Sequence, residues 1–177
     1  CPGDMIMLTA AVRDLHAAHP GKYLTDVRTP HPDIWRHNPH ITPIPDGEGR
    51  VIEMHYPLIN QSNQGAYHFV HAYRMYLEQQ LGIVIPQGAM RGDLHLSKTE
   101  CAAYPEISGH WIIASGGKKD FTAKWWDAQR WQEVVDYWSA KGVQFIQVGD
   151  KKDVHPPLRG VKDMRGKTSL RELITLI

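Results

Sequence analysis

The chain has 177 residues, a formal net charge of +1 at pH 7, and 42% hydrophobic and 22% charged residues. This is the ordinary composition of a globular protein, and the length suits one large domain or two small ones. The balanced charge excludes a general attraction to nucleic acid, so any anion site must be local. Two cysteines, Cys1 and Cys101, make no disulfide framework, and no apolar run approaches the roughly 20 residues of a membrane-spanning helix. We therefore expect a cytoplasmic protein.

The first half of the chain predicts two helices and several short strands. "GDMIMLTAAVRDLHAAHPG" has apolar residues at helical spacing, with Asp4 as the expected N-cap. "AYHFVHAYRMYLEQQLG" predicts a second helix that ends at Gly82. The segments "KYLTDVRT", "RVIEMHYPL" and "RGDLHLS" predict strands. Residues 30–49, rich in Pro, His, Asn and Gly, predict a long loop.

The second half begins after a polar stretch, "SKTECAAYPEISG", which predicts a domain boundary. Strands are then expected at "HWIIAS", "VQFIQVG" and "VKDMRG", with helices at "DAQRWQEVVDYWSAKG" and at "TSLRELITLI", the last capped by Thr168. Strands that alternate with helices predict an α/β fold with parallel sheets. We expect two Rossmann-like domains, residues 1–105 and 106–177. The start on "CPGD" and the stop within an amphipathic pattern lead us to expect a piece of a longer chain, with both domains incomplete.

The loop "GGKKDFTAKWW" is the strongest candidate for an anion site. Gly116 and Gly117 allow close approach of the backbone, and the following helix offers free N–H groups. Lys118, Lys119 and Lys124 add positive charge, so the combination suits a diphosphate. The loop is neither a Walker A motif nor a G-x-G-x-x-G fingerprint. The structural alternative is a solvated loop whose lysines serve solubility.

Other polar residues allow both structural and functional interpretations. Asp4 either caps its helix or faces a cleft as a general base. Asp26 is expected to be structural, whereas His155 lies on a loop that can line a nucleotide site. His68 and His71 are one helical turn apart, but no H-E-x-x-H or Cys/His zinc spacing occurs, so no metal site is predicted. The tryptophans of the last third are expected mostly in the core.

The order of these motifs resembles glycosyltransferase family 9, the heptosyltransferase-like enzymes. The shared features are Gly-Asp before an "LTAAVRDL" helix, then "GGKKDFTAKWW", "VGDKKD" and "GKTSLRELITLI". The resemblance implies a GT-B architecture, in which two Rossmann-like domains face each other across a cleft. It also implies metal-independent transfer of a sugar, often a heptose, from a nucleotide diphosphate sugar to a glycan, typically in lipopolysaccharide assembly. The family works in the cytoplasm, often at the inner membrane face.

By the same resemblance, Asp4 matches the catalytic base and Lys124 the lysine that contacts the donor phosphate. Thr168, in "GKTSL", matches the nucleotide side of the site. The expected partners are a nucleotide-sugar donor and a glycan or lipid-linked glycan acceptor, with peripheral membrane contact, no nucleic acid and no separate cofactor. The family's later Asp-Thr-Gly motif is not present in this sequence.

Three alternatives remain open on the sequence. A nucleotide-sugar 2-epimerase shares the two-domain plan but needs no acceptor glycan. A non-catalytic relative would bind the nucleotide sugar and turn nothing over. A zinc-dependent hydrolase is suggested by the histidine count alone.

Overall fold

A computed structural model describes residues 1–55, 58, 61, 64–119 and 124–177. The chain divides into two units, Cys1–Ser97 and Lys98–Ile177. The described residues form five α-helices, three strands and two short 3-10 helices: α1 Pro2–Ala18, α2 Phe69–Leu81, α3 Lys98–Cys101, α4 Ala128–Ser139, α5 Leu170–Leu176, β1 Trp111–Ile113, β2 Phe145–Gln147, β3 Lys162–Asp163, and 3-10 turns at Pro32–Trp35 and Pro105–Ile107. None of the helices in this described part is both long and apolar enough to cross a bilayer.

The core of the first unit lies between α1, α2 and the 3-10 turn at Pro32–Trp35. Helix α1 is buried around most of its circumference, at Leu8, Thr9, Ala10, Ala11, Val12, Asp14 and Leu15, whereas α2 buries Val70, Ala72, Tyr73 and Leu77. Each fully buried aliphatic side chain stabilises the unit by about 1.5–3 kcal/mol. Helix α2 ends at Gly82, whose φ of 64° is the left-handed conformation that glycine adopts without strain. Both helices of the first half, and the stop at Gly82, are confirmed.

The start of α1 differs from the expectation. The N-cap is Cys1, and Asp4 is the third helical residue. Oδ2 of Asp4 accepts a hydrogen bond from the Cys1 nitrogen at 2.8 Å, which is the return half of a capping box. Asp4 therefore takes part in the cap as the third helical residue, and the prediction that Asp4 is the N-cap is wrong. Pro2 begins the helix earlier because proline tolerates the first helical position, where no N–H is needed.

The strands predicted in the first unit are wrong for the described residues. Among the described residues of the first unit, the strand pairing is limited to an isolated parallel bridge between Thr25 and Ile41. Tyr56 and Pro57 of "RVIEMHYPL" lie outside the described residues. In several extended segments of this unit, side-chain oxygens rather than neighbouring strands accept the hydrogen bonds of the backbone N–H groups. Asp26 accepts from Ile44, Asp14 from Gly88, Glu78 from Ile85, and Thr9 from Asp93. Such side-chain acceptors satisfy the backbone without a ladder, which hydrophobic patterning alone does not reveal.

The second unit is α/β, with a three-stranded parallel sheet in the order β1-β2-β3. Helix α4 connects β1 to β2, and every residue of the central strand β2 is buried. Alternation along β2 sends Phe145 to a cluster with Ile113 and Val135 of α4, and Ile146 to a cluster with Leu176 of α5. The α/β class and the strand–helix order of this half are thus confirmed.

The cap of α5 is one residue later than predicted. Ser169, not Thr168, is the N-cap, and its side chain accepts from the backbone N–H of Glu172. Glu172 in turn accepts from the Ser169 N–H at 2.7 Å, which completes a capping box. The S-x-x-E spacing of that motif is met by Ser169 and Glu172 and is not met from Thr168.

Candidate functional site

Glycines follow all three strands at one edge of the parallel sheet. Because the strands are parallel, their carboxyl ends meet at this edge, where ligands of open α/β sheets bind. Gly116, Gly149 and Gly166 follow β1, β2 and β3 within three residues. A Cβ on Gly116 would lie 1.8 Å from the Val154 oxygen, and one on Gly149 would lie 2.4 Å from the His155 ring. The edge therefore requires glycine for close chain approach.

The loop after β2 lies across this edge. The Gly117 N–H donates to the Val154 oxygen and the Val154 N–H to the Gly117 oxygen, with nitrogen-to-oxygen distances of 3.1 Å and 3.0 Å. The Gly166 N–H donates to the Gly149 oxygen at 2.7 Å, so the ends of β2 and β3 are also joined. The segment that follows β1, which begins the predicted phosphate loop, is thereby held in a fixed position.

Gln147 anchors the same loop from beneath. Its side chain is fully buried, and its Nε2 donates to Ser115 Oγ at 2.7 Å and to the Pro156 oxygen at 2.6 Å. Its Oε1 accepts from the Leu158 N–H at 3.0 Å. Every polar atom of the amide is paired, so a buried polar side chain stabilises the loop rather than weakening the core.

Lysines lie around the outer side of this edge. Lys118, Lys119 and Lys124 are exposed, while Asp120–Ala123 of the same loop lie outside the described residues. A Cβ on Gly166 would lie 2.3 Å from Cγ of Lys151, so the stem of that lysine crosses the end of β3. Lys118 and Lys119 come directly after the end of β1 and Lys151 crosses the end of β3, and ammonium groups from such positions can neutralise an anion.

The indole of Trp125 lies beside Gly117, and its buried N–H shares with those of Trp35 and Trp131 the lack of a partner among the described residues. Its Nε1 is buried and has no hydrogen-bond partner among the described residues. A Cβ on Gly117 would lie only 3.3 Å from this nitrogen, so the indole N–H lies directly over the glycine. A buried donor without an acceptor costs about 1–3 kcal/mol, and such groups call for an explanation. An acceptor oxygen from a ligand would supply one.

Asp163, the last residue of β3, is paired with Arg165. The guanidinium donates Nε and Nη2 hydrogen bonds of 2.8 Å to the two carboxylate oxygens. This side-chain hydrogen bonding lowers the pKa of Asp163 from 3.8 to about 2. Arg165 is thereby committed to Asp163, and the lysines remain the candidates for binding an anion.

The Asp163 pair predicts a specific pH dependence of stability. Because the pKa of Asp163 is lower in the folded state, its contribution is present above pH 3.8 and is lost as the pH falls toward 2. Asp163→Asn should flatten the decline of the unfolding free energy in this interval, as measured by denaturant titration at several pH values. Asp153→Asn, which removes a carboxylate but leaves the Arg165 pair, should keep the wild-type slope. Equal slopes for all three proteins would contradict this assignment.

The structure brings some of the predicted site residues to this edge. Gly116, Gly117, Lys118 and Lys119 follow the end of β1, and Thr168 lies beyond the end of β3, just before α5. Asp4 belongs to the first unit, where its side chain is about half exposed.

One of the histidines considered for a metal site, His68, has another role. Nδ1 of His68 accepts from the Val70 N–H at 3.2 Å and so caps α2. Across the described residues, no group of three or more His, Cys, Asp or Glu side chains is arranged to hold a metal ion. His155 lies against Gly149, and its Nδ1 is buried without a hydrogen-bond partner in the described part of the chain.

Sequence reasoning missed three members of this edge: Gly149, Gly166 and Trp125. The two glycines had a usable signal, since each follows a predicted strand as Gly116 does. Trp125 had none, because a tryptophan at helical spacing is more often a core residue than a donor without a partner.

Two cavities of the second unit are lined by residues other than those of this edge. One, of about 630 Å³, runs along α4, and the other, of about 430 Å³, lies near the amino ends of the strands.

No protein-family model, curated protein or solved structure compared with the chain matches it. The function must therefore be inferred from the residues themselves.

Proposed function

We propose that the chain belongs to a metal-independent glycosyltransferase of GT-B architecture. It transfers a heptose-like sugar from a nucleotide diphosphate sugar to a glycan or lipopolysaccharide-type acceptor. The observation that carries the proposal is the buried, unpartnered indole N–H of Trp125 beside Gly117. A phosphate oxygen at the glycine loop would satisfy that donor.

The surroundings of the indole favour an anion over a neutral acceptor. Lys118 and Lys119 follow Gly117 directly, and Lys124 precedes the indole in the sequence. Preorganised cations and N–H donors stabilise the charge that develops on a leaving diphosphate. Lysines can do this without a metal ion, which agrees with the metal-independent chemistry that we propose.

The reaction itself is a substitution at the anomeric carbon of the donor sugar. The acceptor hydroxyl oxygen attacks that carbon, and the bond from the carbon to the diphosphate oxygen breaks. The electron pair of the broken bond leaves with the nucleoside diphosphate, whose charge the lysines balance. The hydroxyl proton passes to a base, and we assign that role to the Asp4 carboxylate.

Calorimetric titration with ADP, UDP and GDP tests the anion site. We expect one of the three to bind selectively and Lys124→Ala to weaken binding roughly tenfold or more, since a hydrogen bond to a charged group contributes about 1.5–3 kcal/mol. Lys98→Ala is the matched control, because it removes an exposed lysine of the same unit from α3. Absence of binding by all three nucleotides, or equal losses in both variants, would contradict the proposal.

A further inference from the structure

We propose that the outer face of α4 is a saccharide-binding surface. The cavity along this helix has a volume of about 630 Å³, and we call it the α4 groove. The lining residues that the proposal uses are Trp126, Asp127, Gln129, Arg130, Glu133 and Tyr137. They lie on the second unit, and the groove is separate from the glycine-lined edge of the sheet.

Helical spacing makes the groove long and narrow. Arg130, Glu133 and Tyr137 follow one another at intervals of three and four residues, so they form one stripe of α4. Trp126 lies just before the helix, at the other end of that stripe. With a rise of 1.5 Å per residue, the stripe extends roughly 14 Å from Ala128 to Tyr137. This length suits a short oligosaccharide better than a single small molecule.

Two exposed aromatic rings mark the ends of the α4 groove. The side chain of Trp126 is 45% exposed, and that of Tyr137 is 57% exposed. Trp126 packs edge-to-face on Trp131 with ring centroids 5.2 Å apart, and Tyr137 packs edge-to-face on Trp138 at 5.4 Å. Trp131 and Trp138 hold the two rings in place, and the Lys141 ammonium covers one face of Tyr137 at 3.8 Å from the ring centroid, so the rest of each ring remains open. Rigid aromatic rings provide contact area at low entropic cost, which suits stacking on the C–H face of a sugar.

Planar polar side chains lie between the rings. The guanidinium of Arg130 makes no hydrogen bond or ion pair among the described residues, and Nε2 of Gln129 donates to Glu133 at 3.5 Å. Asp127 uses Oδ1 to cap the helix, accepting from the N–H groups of Gln129 and Arg130. Carboxylates, an amide and a guanidinium together offer donors and acceptors for sugar hydroxyls.

The charge and composition of the α4 groove distinguish a saccharide from other occupants. Two carboxylates and one guanidinium line the groove and the Lys141 ammonium lies over Tyr137, so the formal charges balance and offer no net attraction to a phosphorylated or nucleic-acid ligand. Val134 is the aliphatic residue of the lining, whereas a docked amphipathic helix needs a row of aliphatic contacts. A neutral sugar chain combines apolar C–H faces with many hydroxyls and so matches both features.

The bound saccharide would be part of the acceptor glycan, and this last step rests on the proposed function. The inference that α4 binds a saccharide does not depend on the proposed function. A chain that binds sugars on α4 but no nucleoside diphosphate would retain this inference and overturn the transferase. A chain that binds a nucleoside diphosphate but no sugar would do the reverse.

Titration of the full chain with maltotriose, cellotriose and the N-acetylglucosamine trimer, followed by NMR, tests the surface. We expect saturable binding of at least one trisaccharide that shifts the indole signal of Trp126. Trp126→Ala or Tyr137→Ala should weaken binding roughly fivefold to tenfold, as expected for the loss of one aromatic contact. Tyr67→Ala removes an exposed aromatic ring from the first unit and should leave the affinity unchanged.

Three results would overturn the inference. One is no saturable binding of any of the three sugars, and another is binding that neither Trp126→Ala nor Tyr137→Ala affects. The third is self-association of the chain that Trp126→Ala abolishes in sedimentation analysis, which would make this face an interface between copies. Circular dichroism shows whether the Trp126→Ala variant is folded. If it is unfolded, the binding test rests on Tyr137→Ala.

Discussion

Asp4→Asn is expected to lower the rate of sugar transfer by roughly 10²–10⁴, with little change in affinity for the nucleoside diphosphate. The loss follows because an amide cannot accept the proton of the acceptor hydroxyl, whereas the proposed diphosphate site belongs to the other unit of the chain. Release of nucleoside diphosphate from the donor sugar in the presence of acceptor measures the rate, and calorimetry measures the affinity.

The Asp4→Asn substitution should leave the hydrogen bonding at the start of α1 intact. Asp4 accepts the Cys1 N–H in a capping box, and an asparagine oxygen can accept the same hydrogen bond. The thermal stability of α1 should therefore be nearly unchanged. Glu48→Gln, which neutralises an exposed carboxylate in the same unit, should keep the full rate. Unimpaired turnover by Asp4→Asn would rule out its role as the base.

Gln147→Ala is expected to destabilise the second unit by roughly 2–5 kcal/mol. The substitution leaves a cavity beside the central strand, removes the acceptor of the Leu158 N–H, and leaves Ser115 Oγ and the Pro156 oxygen only their hydrogen bond to each other. Because these bonds anchor the loop after β2, exchange of the Leu158 amide should also accelerate. Urea denaturation measures the stability, and hydrogen exchange measures the opening of the loop.

Gln144→Ala is the matched control for this prediction. Gln144 is exposed just before β2, so its truncation creates no buried cavity and leaves no buried group unpaired. Its unfolding midpoint should remain close to that of the wild type. If Gln147→Ala were as stable as Gln144→Ala, the amide would not anchor the loop.

The second unit could be predicted from sequence better than the first, for a physical reason. "VQFIQVG" contains a fully buried strand, "HWIIAS" contains a short apolar strand that buries Ile113, and α4 between them has a strong helical pattern. In the first unit, the predicted strands are short and mixed in polarity. Within them, Asp26 accepts from the Val27 N–H and Thr9 of α1 accepts from the Asp93 N–H, and a local pattern does not reveal the second, tertiary contact.

The candidate site was also only partly predictable. Gly116 and Gly117 could be recognised because glycines after a buried strand signal close backbone approach. The pairing of Gly117 with Val154 could not, since it depends on how the loop after β2 folds back across the sheet. The missing acceptor for the Trp125 indole likewise depends on three-dimensional packing.

The indole N–H signal of Trp125 gives the most direct test of an anion site at the glycine loop. The signal is assigned by its loss in Trp125→Phe and followed by NMR as the nucleoside diphosphate selected by calorimetry is added. We predict a saturable downfield shift, as expected for a donor that gains a phosphate acceptor, and weaker nucleotide binding by Trp125→Phe. An unchanged Trp125 signal at saturating nucleotide would contradict diphosphate binding at this loop and, with it, the proposed transferase site.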